Sequence, residues 1–267
     1  MKSAKHLLTR RKALVILAAG AASACAPLGL GGGPLTLDEV IRRNTLARGG
    51  AAALDRVHAL QIDVELLEGG QTITGPYAAN IDGMVRVDIY VAGKNVYSEG
   101  VDRQGVWRWT GGAGPAEPSK AEGAANALTN GAEQHLFGWH RFAQRGHQME
   151  LMPAEMIDGV TYQVVKVKFT TGQTSYFYVD PVSWQIVRRL DERAYHPDND
   201  QTKQRVESRF FDFVGVGGIV VSQRSEDIDL ATGKTLATSR VLSRRINPSL
   251  PADYFDRNRR APANAMA

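Results

Sequence analysis

Three histidines close together in the sequence are the first candidates for chemistry, because imidazole rings bind metals and transfer protons. His135, His140 and His147 are separated by five and seven residues. Neither spacing places two histidines on one helical face, as a His-Glu-x-x-His zinc site requires. We therefore interpret these residues as flanking a helix, and the sequence predicts no metal and no other cofactor.

Glycine-rich segments that could bind phosphate groups are incomplete. Gly233-Lys234-Thr235 lacks the glycine five positions before Gly233 that a phosphate-binding loop requires. The run from Gly215 to Gly218 does not complete a dinucleotide-binding fingerprint, and no Gly-x-Ser-x-Gly motif occurs. The sequence therefore predicts a protein that is not an enzyme. A hydrolase with an unrecognised site is the alternative, and polar side chains converging inside a cavity would favour it.

Cys25 is the only cysteine, and it follows a segment typical of an export signal. Basic residues come first, residues 13–22 form an uncharged apolar block too short to span a membrane, and Ala22-Ser23-Ala24 offers small residues for cleavage. We predict a signal peptide at residues 1–24 and lipidation of Cys25, which would anchor the chain to a membrane. Ordinary cleavage with secretion is the alternative, because a lipobox usually has Leu where this chain has Ala22.

The same leader accounts for the basic character of the whole chain. Five of the 32 Lys and Arg residues and none of the 28 Asp and Glu residues precede Cys25, which leaves 27 basic and 28 acidic residues. We interpret the remaining basic clusters, such as Arg240 with Arg244-Arg245, as solvated, and predict no nucleic-acid binding. Arg10-Arg11 resembles a twin-arginine export motif, but Ala13 replaces the usual Phe, so both export routes stay open.

Patterns after Cys25 predict a tether, two short helices and then many strands. Residues 25–35 are Gly-rich and aperiodic, which is typical of a flexible linker. Thr36-Leu37-Asp38-Glu39 fits a capping box for a helix that ends at Arg48-Gly49-Gly50, and a second helix is predicted over 51–57. From Ala59 apolar residues alternate with polar ones, which indicates strands. After the strands around Ile62 and at 85–91, further strand segments are predicted near 71–79, 94–101, 104–110, 147–152, 160–170, 173–180, 183–191, 203–213, 217–229 and 234–246.

One or two helices are predicted in the Ala-rich region 118–145, between two blocks of strands. A large antiparallel sheet must cover its apolar face, and the predicted helices are few for a dozen strands. We therefore predict one mainly β domain whose sheet either closes on itself or curls around the helices and leaves a hollow.

The chain from Cys25 onward resembles the outer-membrane lipoprotein-sorting family related to LolA and LolB. The closing segment from Ile246 to Phe255 is the most distinctive. The other segments that carry the resemblance are Arg48-Gly49-Gly50, Gly83 to Asp88, Trp107-Arg108-Trp109, Gly159 to Val167 and Gly172 to Pro181. Each segment is short, and their order across about 200 residues makes the resemblance.

This resemblance implies an incompletely closed antiparallel β-barrel (half-barrel) over residues 36–256, with helices plugging its concave side, and a tail at 257–267. It implies non-catalytic binding of lipid acyl chains or lipoproteins in an apolar cavity, for transfer within the envelope. Lipidated Cys25 would attach the protein to the outer membrane, facing the periplasm. An envelope sensor or assembly scaffold that binds a protein partner is the alternative. Candidate cavity residues are Ile62, Val64, Leu66, Val85, Val87, Ile89, Trp107 and Trp109.

Overall fold

The computed structural model describes residues 35–197 and 200–262, which contain four helices and thirteen strands. The predicted signal peptide, Cys25 and all but the last residue of the predicted tether lie outside the described residues. The helices are α1 (Leu37–Ala47), α2 (Ala51–Leu54), α3 (Glu122–Leu136) and α4 (Trp139–Phe142). The strands are β1 (Ala59–Glu68), β2 (Gln71–Asn80), β3 (Val85–Val91), β4 (Lys94–Asp102), β5 (Gly105–Trp109), β6 (Glu117–Pro118), β7 (Gln148–Ile157), β8 (Val160–Lys168), β9 (Thr174–Val179), β10 (Ile186–Ala194), β11 (Lys203–Val216), β12 (Ile219–Asp229) and β13 (Thr235–Ile246).

Helix α1 forms where the sequence predicts it, because a cap begins it and a glycine ends it. Thr36 Oγ1 accepts a hydrogen bond from the Glu39 backbone N–H at 3.3 Å, which satisfies one free amide of the first turn. Gly49 has a φ of 112°, a conformation that favours glycine, and a Cβ there would collide with the carbonyl oxygen that precedes β12. The Val220 N–H donates to the Arg48 carbonyl oxygen at 3.0 Å. The end of α1 is thereby held against β12.

The thirteen strands form one antiparallel sheet in the order β6-β5-β4-β3-β2-β1-β13-β12-β11-β10-β9-β8-β7. The chain runs outward from β1 to β6, passes through α3 and α4, and returns inward from β7 to β13. Of the strand pairs in residues 35–197 and 200–262, only the central pair, β1 with β13, joins strands that are distant in sequence, from Leu60↔Ile246 to Glu68↔Ala237. Among the described residues the sheet does not close, and β6 and β7 are its edges. The prediction of a mainly β half-barrel with few helices is confirmed.

The helices pack on one face of the sheet, which we call the inner face, and form two apolar cores there. The first core joins α3 to β1 and β3 through Leu60, Val85, Leu128, Ala132 and Leu136. The second core joins α1 and α4 to β8 and β9 through Val40, Trp139, Phe142, Val165 and Phe177. Since α3 contacts β2, β3 and β4, each half of the sheet has its own helical cover.

The opposite, outer face of the first half is covered by the C-terminal segment. On β3, the buried side chains of Arg86 and Asp88 form an ion pair at 2.9 Å. Arg86 Nη1 also donates to the Tyr254 carbonyl oxygen at 3.4 Å. Arg257 pairs with Asp102 of β4 at 2.6 Å, so the beginning of the predicted tail packs on the sheet.

Two strand predictions differ from the structure. Strand β7 continues to Ile157, beyond the predicted end at residue 152, because an irregularity between Met152 and Glu155 breaks the alternation of side chains. Strand β6 has two residues, too few to show alternation in a sequence. No described helix has the length and apolar character needed to cross a membrane.

Candidate ligand-binding cavity

A cavity of about 550 Å³ lies between the helices and the inner face of the sheet. Its volume falls within the range of about 300–1,000 Å³ that is typical of small-molecule sites. The residues that line it come from the end of α1, from α3 and α4, and from strands β1, β2 and β9–β13. The cavity therefore lies across the seam where the two halves of the sheet meet.

One wall of the cavity is apolar. Ile62, Val64 and Leu66 line it from β1, because every second side chain of a strand lies on the same face. Other strands and α4 extend this surface through Val221, Val241, Phe177, Ile186, Phe210, Phe213 and Trp139. Covering such a surface with an apolar group is favourable by about 25 cal/mol per Å².

Arg244 lines the cavity because β13 contains a bulge. Ile62 pairs with Arg244 and Val64 pairs with Val241, which leaves Leu242 as an extra residue on β13. In a regular strand, residues three positions apart, such as Val241 and Arg244, would lie on opposite faces, and the bulge brings both onto the cavity face. The interpretation of Arg244 as a solvated strand residue is therefore wrong, and its Nε atom is buried.

Two guanidinium groups at the cavity have no carboxylate partner within the part of the chain that the structure describes. Arg48, which follows α1, donates from Nη1 to the Phe137 carbonyl oxygen at 3.5 Å. Arg244 donates from Nη2 to the Ser222 carbonyl oxygen at 3.0 Å. Burial lowers the pKa of each guanidinium to about 10, and repulsion from Arg48 contributes to the shift of Arg244. Both groups stay charged at neutral pH.

His135 and Tyr77 belong to the same polar end of the cavity. The His135 ring, on α3, lies against the Tyr77 ring of β2 with a centroid distance of 5.4 Å. Desolvation lowers the pKa of His135 to about 3, and the charges of three arginines on the cavity wall contribute, so the imidazole is neutral at physiological pH. The buried Tyr77 hydroxyl has no hydrogen-bond partner among the described residues, and burial raises its pKa.

A third arginine of the cavity wall is already compensated. Arg189 Nε lies 2.8 Å from Asp191 Oδ2. Its Nη1 donates to Gln134 Oε1 at 2.9 Å, and its Nη2 donates to Ser208 Oγ at 3.2 Å. The Ser208 hydroxyl in turn donates to Asp227 Oδ1 at 2.6 Å. Arg189 therefore ties β10 to α3, and the uncompensated positive charge belongs to Arg48 and Arg244.

Among these converging polar groups, the two arginines without a carboxylate partner in the described residues have the chemistry to bind an anion. A hydrolase needs a base that accepts a proton near neutral pH and a group that orients this base. Among the described residues no carboxylate forms a hydrogen bond with His135, whose pKa of about 3 makes it a weak base. Guanidinium groups instead offer several N–H donors in a fixed geometry that matches carboxylate and phosphate oxygens.

Three of the eight predicted cavity residues line the cavity, namely Ile62, Val64 and Leu66. Val85 and Val87 lie on the same inner face, but they pack in the core with α3 and do not line the cavity. Ile89 follows them at the same spacing on β3 and does not line it either. Alternation identifies the face of a strand, whereas the position of α3 decides which part of that face stays uncovered.

Trp107 and Trp109 lie on the outer face and do not line the cavity. Trp107 is 1% exposed and pairs with Gly100, where an added Cβ would lie 2.8 Å from the indole ring. The Arg86 guanidinium, which also holds the C-terminal segment, lies 5.2 Å from this ring. Trp109 Nε1 donates to the Gly114 carbonyl oxygen at 3.1 Å. The two tryptophans share one face as the sequence predicts, but it is the face opposite the cavity.

The histidines that cluster in the sequence are separated in the structure. His140 Nε2 contacts Asp55 Oδ1 at 2.8 Å, and His147 Nε2 contacts Glu133 Oε2 at 3.1 Å, whereas His135 lines the cavity. Within residues 35–197 and 200–262, no group of three or more side chains could hold a metal ion.

The open sheet, the helices on its inner face and the cavity between them make up a fold that is similar to that of a solved LolA superfamily structure. A LolA superfamily protein from Nitrosomonas europaea is similar with a TM-score of 0.55 and 11% identity, over 83% of this chain and 98% of that one. A domain from Vibrio parahaemolyticus, provisionally described as an outer membrane lipoprotein-sorting protein, has a TM-score of 0.54 and 11% identity, over 82% and 96%.

A DUF1329 family protein from Desulfovibrio piger is similar as well, with a TM-score of 0.52 and 10% identity over 82% of this chain and 96% of that one. The sequence itself matches no protein-family model and no curated protein. The three similar structures confirm the resemblance to the lipoprotein-sorting family at the level of the fold.

Proposed function

We propose that this protein is an exported lipoprotein that binds the acyl chains of lipids or lipoproteins in its cavity and transfers them within the envelope without catalysis. The observation that carries the proposal is the cavity of about 550 Å³ with its apolar wall from β1. Two similar structures, one from the LolA superfamily and one assigned to lipoprotein sorting, support it. Lipidation of Cys25 and attachment to the periplasmic side of the outer membrane belong to the proposal and are supported by the sequence.

The cavity volume sets the size of the ligand. At about 30 Å³ for each water-sized group, a cavity of about 550 Å³ holds up to about eighteen such groups. This corresponds to one acyl chain. A lipoprotein with several chains would need more space than this volume provides.

Uptake of a fluorescent fatty acid by the purified protein tests this function, together with mass spectrometry of lipids that copurify from native membranes. Leu66→Trp places an indole where the acyl chain should lie, so we expect a large loss of uptake. Leu67→Trp is the matched control, because the neighbouring side chain is 50% exposed and does not line the cavity.

A protein that copurifies with no lipid and takes up no fluorescent fatty acid would overturn the proposal. If this empty protein captured a specific protein partner on crosslinking, the sensor or scaffold function would replace lipid binding. Equal loss of uptake in Leu66→Trp and Leu67→Trp would also count against the cavity as the binding site.

A further inference from the structure

We propose that the bound amphiphile is anionic, with a carboxylate or phosphate head group held between Arg48 and Arg244 and an acyl chain along the apolar wall of β1. This inference rests on the proposed function, since it specifies the head group of the ligand that the cavity would take. It also assigns a direction to the ligand within the cavity.

Uncompensated charge is the first argument. A buried cation usually has a carboxylate partner, because desolvation of the charge is otherwise unfavourable. In the part of the chain that the structure describes, Arg48 and Arg244 donate only to backbone carbonyl oxygens, whereas Arg189 has Asp191 at 2.8 Å. An incoming oxyanion would supply the missing partner, and guanidinium groups bind carboxylates and phosphates through paired, charge-assisted hydrogen bonds.

Free hydrogen-bond donors are the second argument. Arg244 Nε and the Tyr77 hydroxyl are buried and have no hydrogen-bond partner among the described residues. On β1, Ile62 pairs with Tyr77 of β2 on one side and with Arg244 of β13 on the other. The two donors therefore flank one point on the cavity wall. An anion at this point would accept hydrogen bonds from both, and the neutral His135 ring beside Tyr77 has an N–H to add.

The position of this point relative to the apolar wall is the third argument. Ile62 lies in the row of the two donors, and Leu66 is four residues further along β1, about 13 Å away at about 3.3 Å per residue. Val64 lies between them on the same face. A chain attached to a head group beside Ile62 would therefore pass over Val64 and Leu66 without further polar contacts on β1.

Competition against a bound fluorescent fatty acid by amphiphiles that share one chain tests the head-group preference. The probes are palmitate, palmityl phosphate and palmityl alcohol, with acetate and inorganic phosphate as anions without a chain. We expect both anionic amphiphiles to compete about 10- to 100-fold more strongly than the alcohol, as charged hydrogen bonds of about 1.5–3 kcal/mol predict. Acetate and phosphate should not compete.

Arg244→Gln tests the residue assignment, and Arg245→Gln is the matched control. Arg245 is the next residue on β13, but its side chain is 50% exposed and pairs with Asp63 at 3.3 Å. We expect Arg244→Gln to weaken palmitate binding by about 10-fold or more and to leave binding of the alcohol unchanged. Arg48→Gln should have the same selective effect and replaces Arg244→Gln if that variant fails to fold.

Each failure has a distinct meaning. If no amphiphile binds, the proposed function fails. If palmitate and the alcohol bind equally, or if Arg244→Gln and Arg245→Gln behave alike, lipid binding stands and the anionic head group is refuted. If inorganic phosphate alone competes as strongly as palmityl phosphate, the arginines form a site for a free anion, and the amphiphile inference is wrong.

Discussion

Replacing Arg244 with Met should stabilise the empty protein, because the change removes a buried charge that lacks a carboxylate partner among the described residues. Burial lowers the pKa of Arg244 from its usual 12.5 to about 10. At about 1.4 kcal/mol per pKa unit, the charged form costs the folded protein up to roughly 3.5 kcal/mol at neutral pH. Solvent that reaches the cavity screens part of this cost, and the variant loses a hydrogen bond to Ser222 of about 1 kcal/mol. We expect a net gain of about 1–2 kcal/mol.

Urea unfolding of the lipid-free protein, followed by circular dichroism, measures this gain. Lipid must be removed first, because a ligand that binds the folded state adds its own stabilisation. For a domain of this size, thermal unfolding should shift upward by about 2–4 °C for each kcal/mol. Arg245→Met is the control, and we expect its free energy of unfolding to change by less than about 0.5 kcal/mol, since the ion pair with Asp63 is exposed.

A loss of stability in Arg244→Met beyond that of the control would refute the reasoning. It would mean that the folded, lipid-free protein already compensates the guanidinium charge. The proposed anion site would then lose its main physical argument, whatever the binding measurements show.

Three further predictions concern other parts of the chain. Cys25→Ser should move the protein from the membrane to the soluble fraction without changing its fold, and a variant that stays with the membrane would contradict lipidation. Gly75→Ala should destabilise the sheet by about 1–3 kcal/mol in urea unfolding, because a Cβ there would collide with the Asp88 carbonyl oxygen, whereas Gly215→Ala, with open space around it, should not. The pKa of His135 is lowered from 6.5 to about 3 in the folded protein, so on acidification the unfolded chain binds a proton first. The free energy of unfolding should therefore fall between about pH 6.5 and 3, and His135→Gln should make this dependence on pH less steep.

Local patterns in the sequence predict most helices and strands, whereas the features that they do not predict depend on contacts between residues distant in sequence. The capping box at Thr36 depends on residues within one turn, so the sequence alone shows where α1 begins. The inward position of Arg244 depends on a bulge at Leu242, which appears only when β13 pairs with β1. The polar end of the cavity therefore could not be predicted from alternation along one strand.

The two tryptophans of β5 illustrate a second limit. Alternation correctly places Trp107 and Trp109 together, and it places Val106 on the other face, in the core with α3. Their large aromatic side chains suggested a surface for ligand binding. In the structure they lie instead on the outer face, where Arg86 contacts both Trp107 and the C-terminal segment, which is far away in sequence. The alternation of residues within one strand does not show where a distant segment will pack on the sheet.

The pairing of β1 with β13 has a consequence for how the protein folds. Every other strand pair in the described part of the chain joins sequence neighbours and can form as a local hairpin, whereas this seam must wait until β13 is available. Strand β1 supplies the apolar wall, so until then its unpaired edge and apolar face are exposed to aggregation. We expect the seam to form late and to limit the folding rate. The cavity would then be completed only at that step, which makes premature ligand capture by a partly folded chain unfavourable.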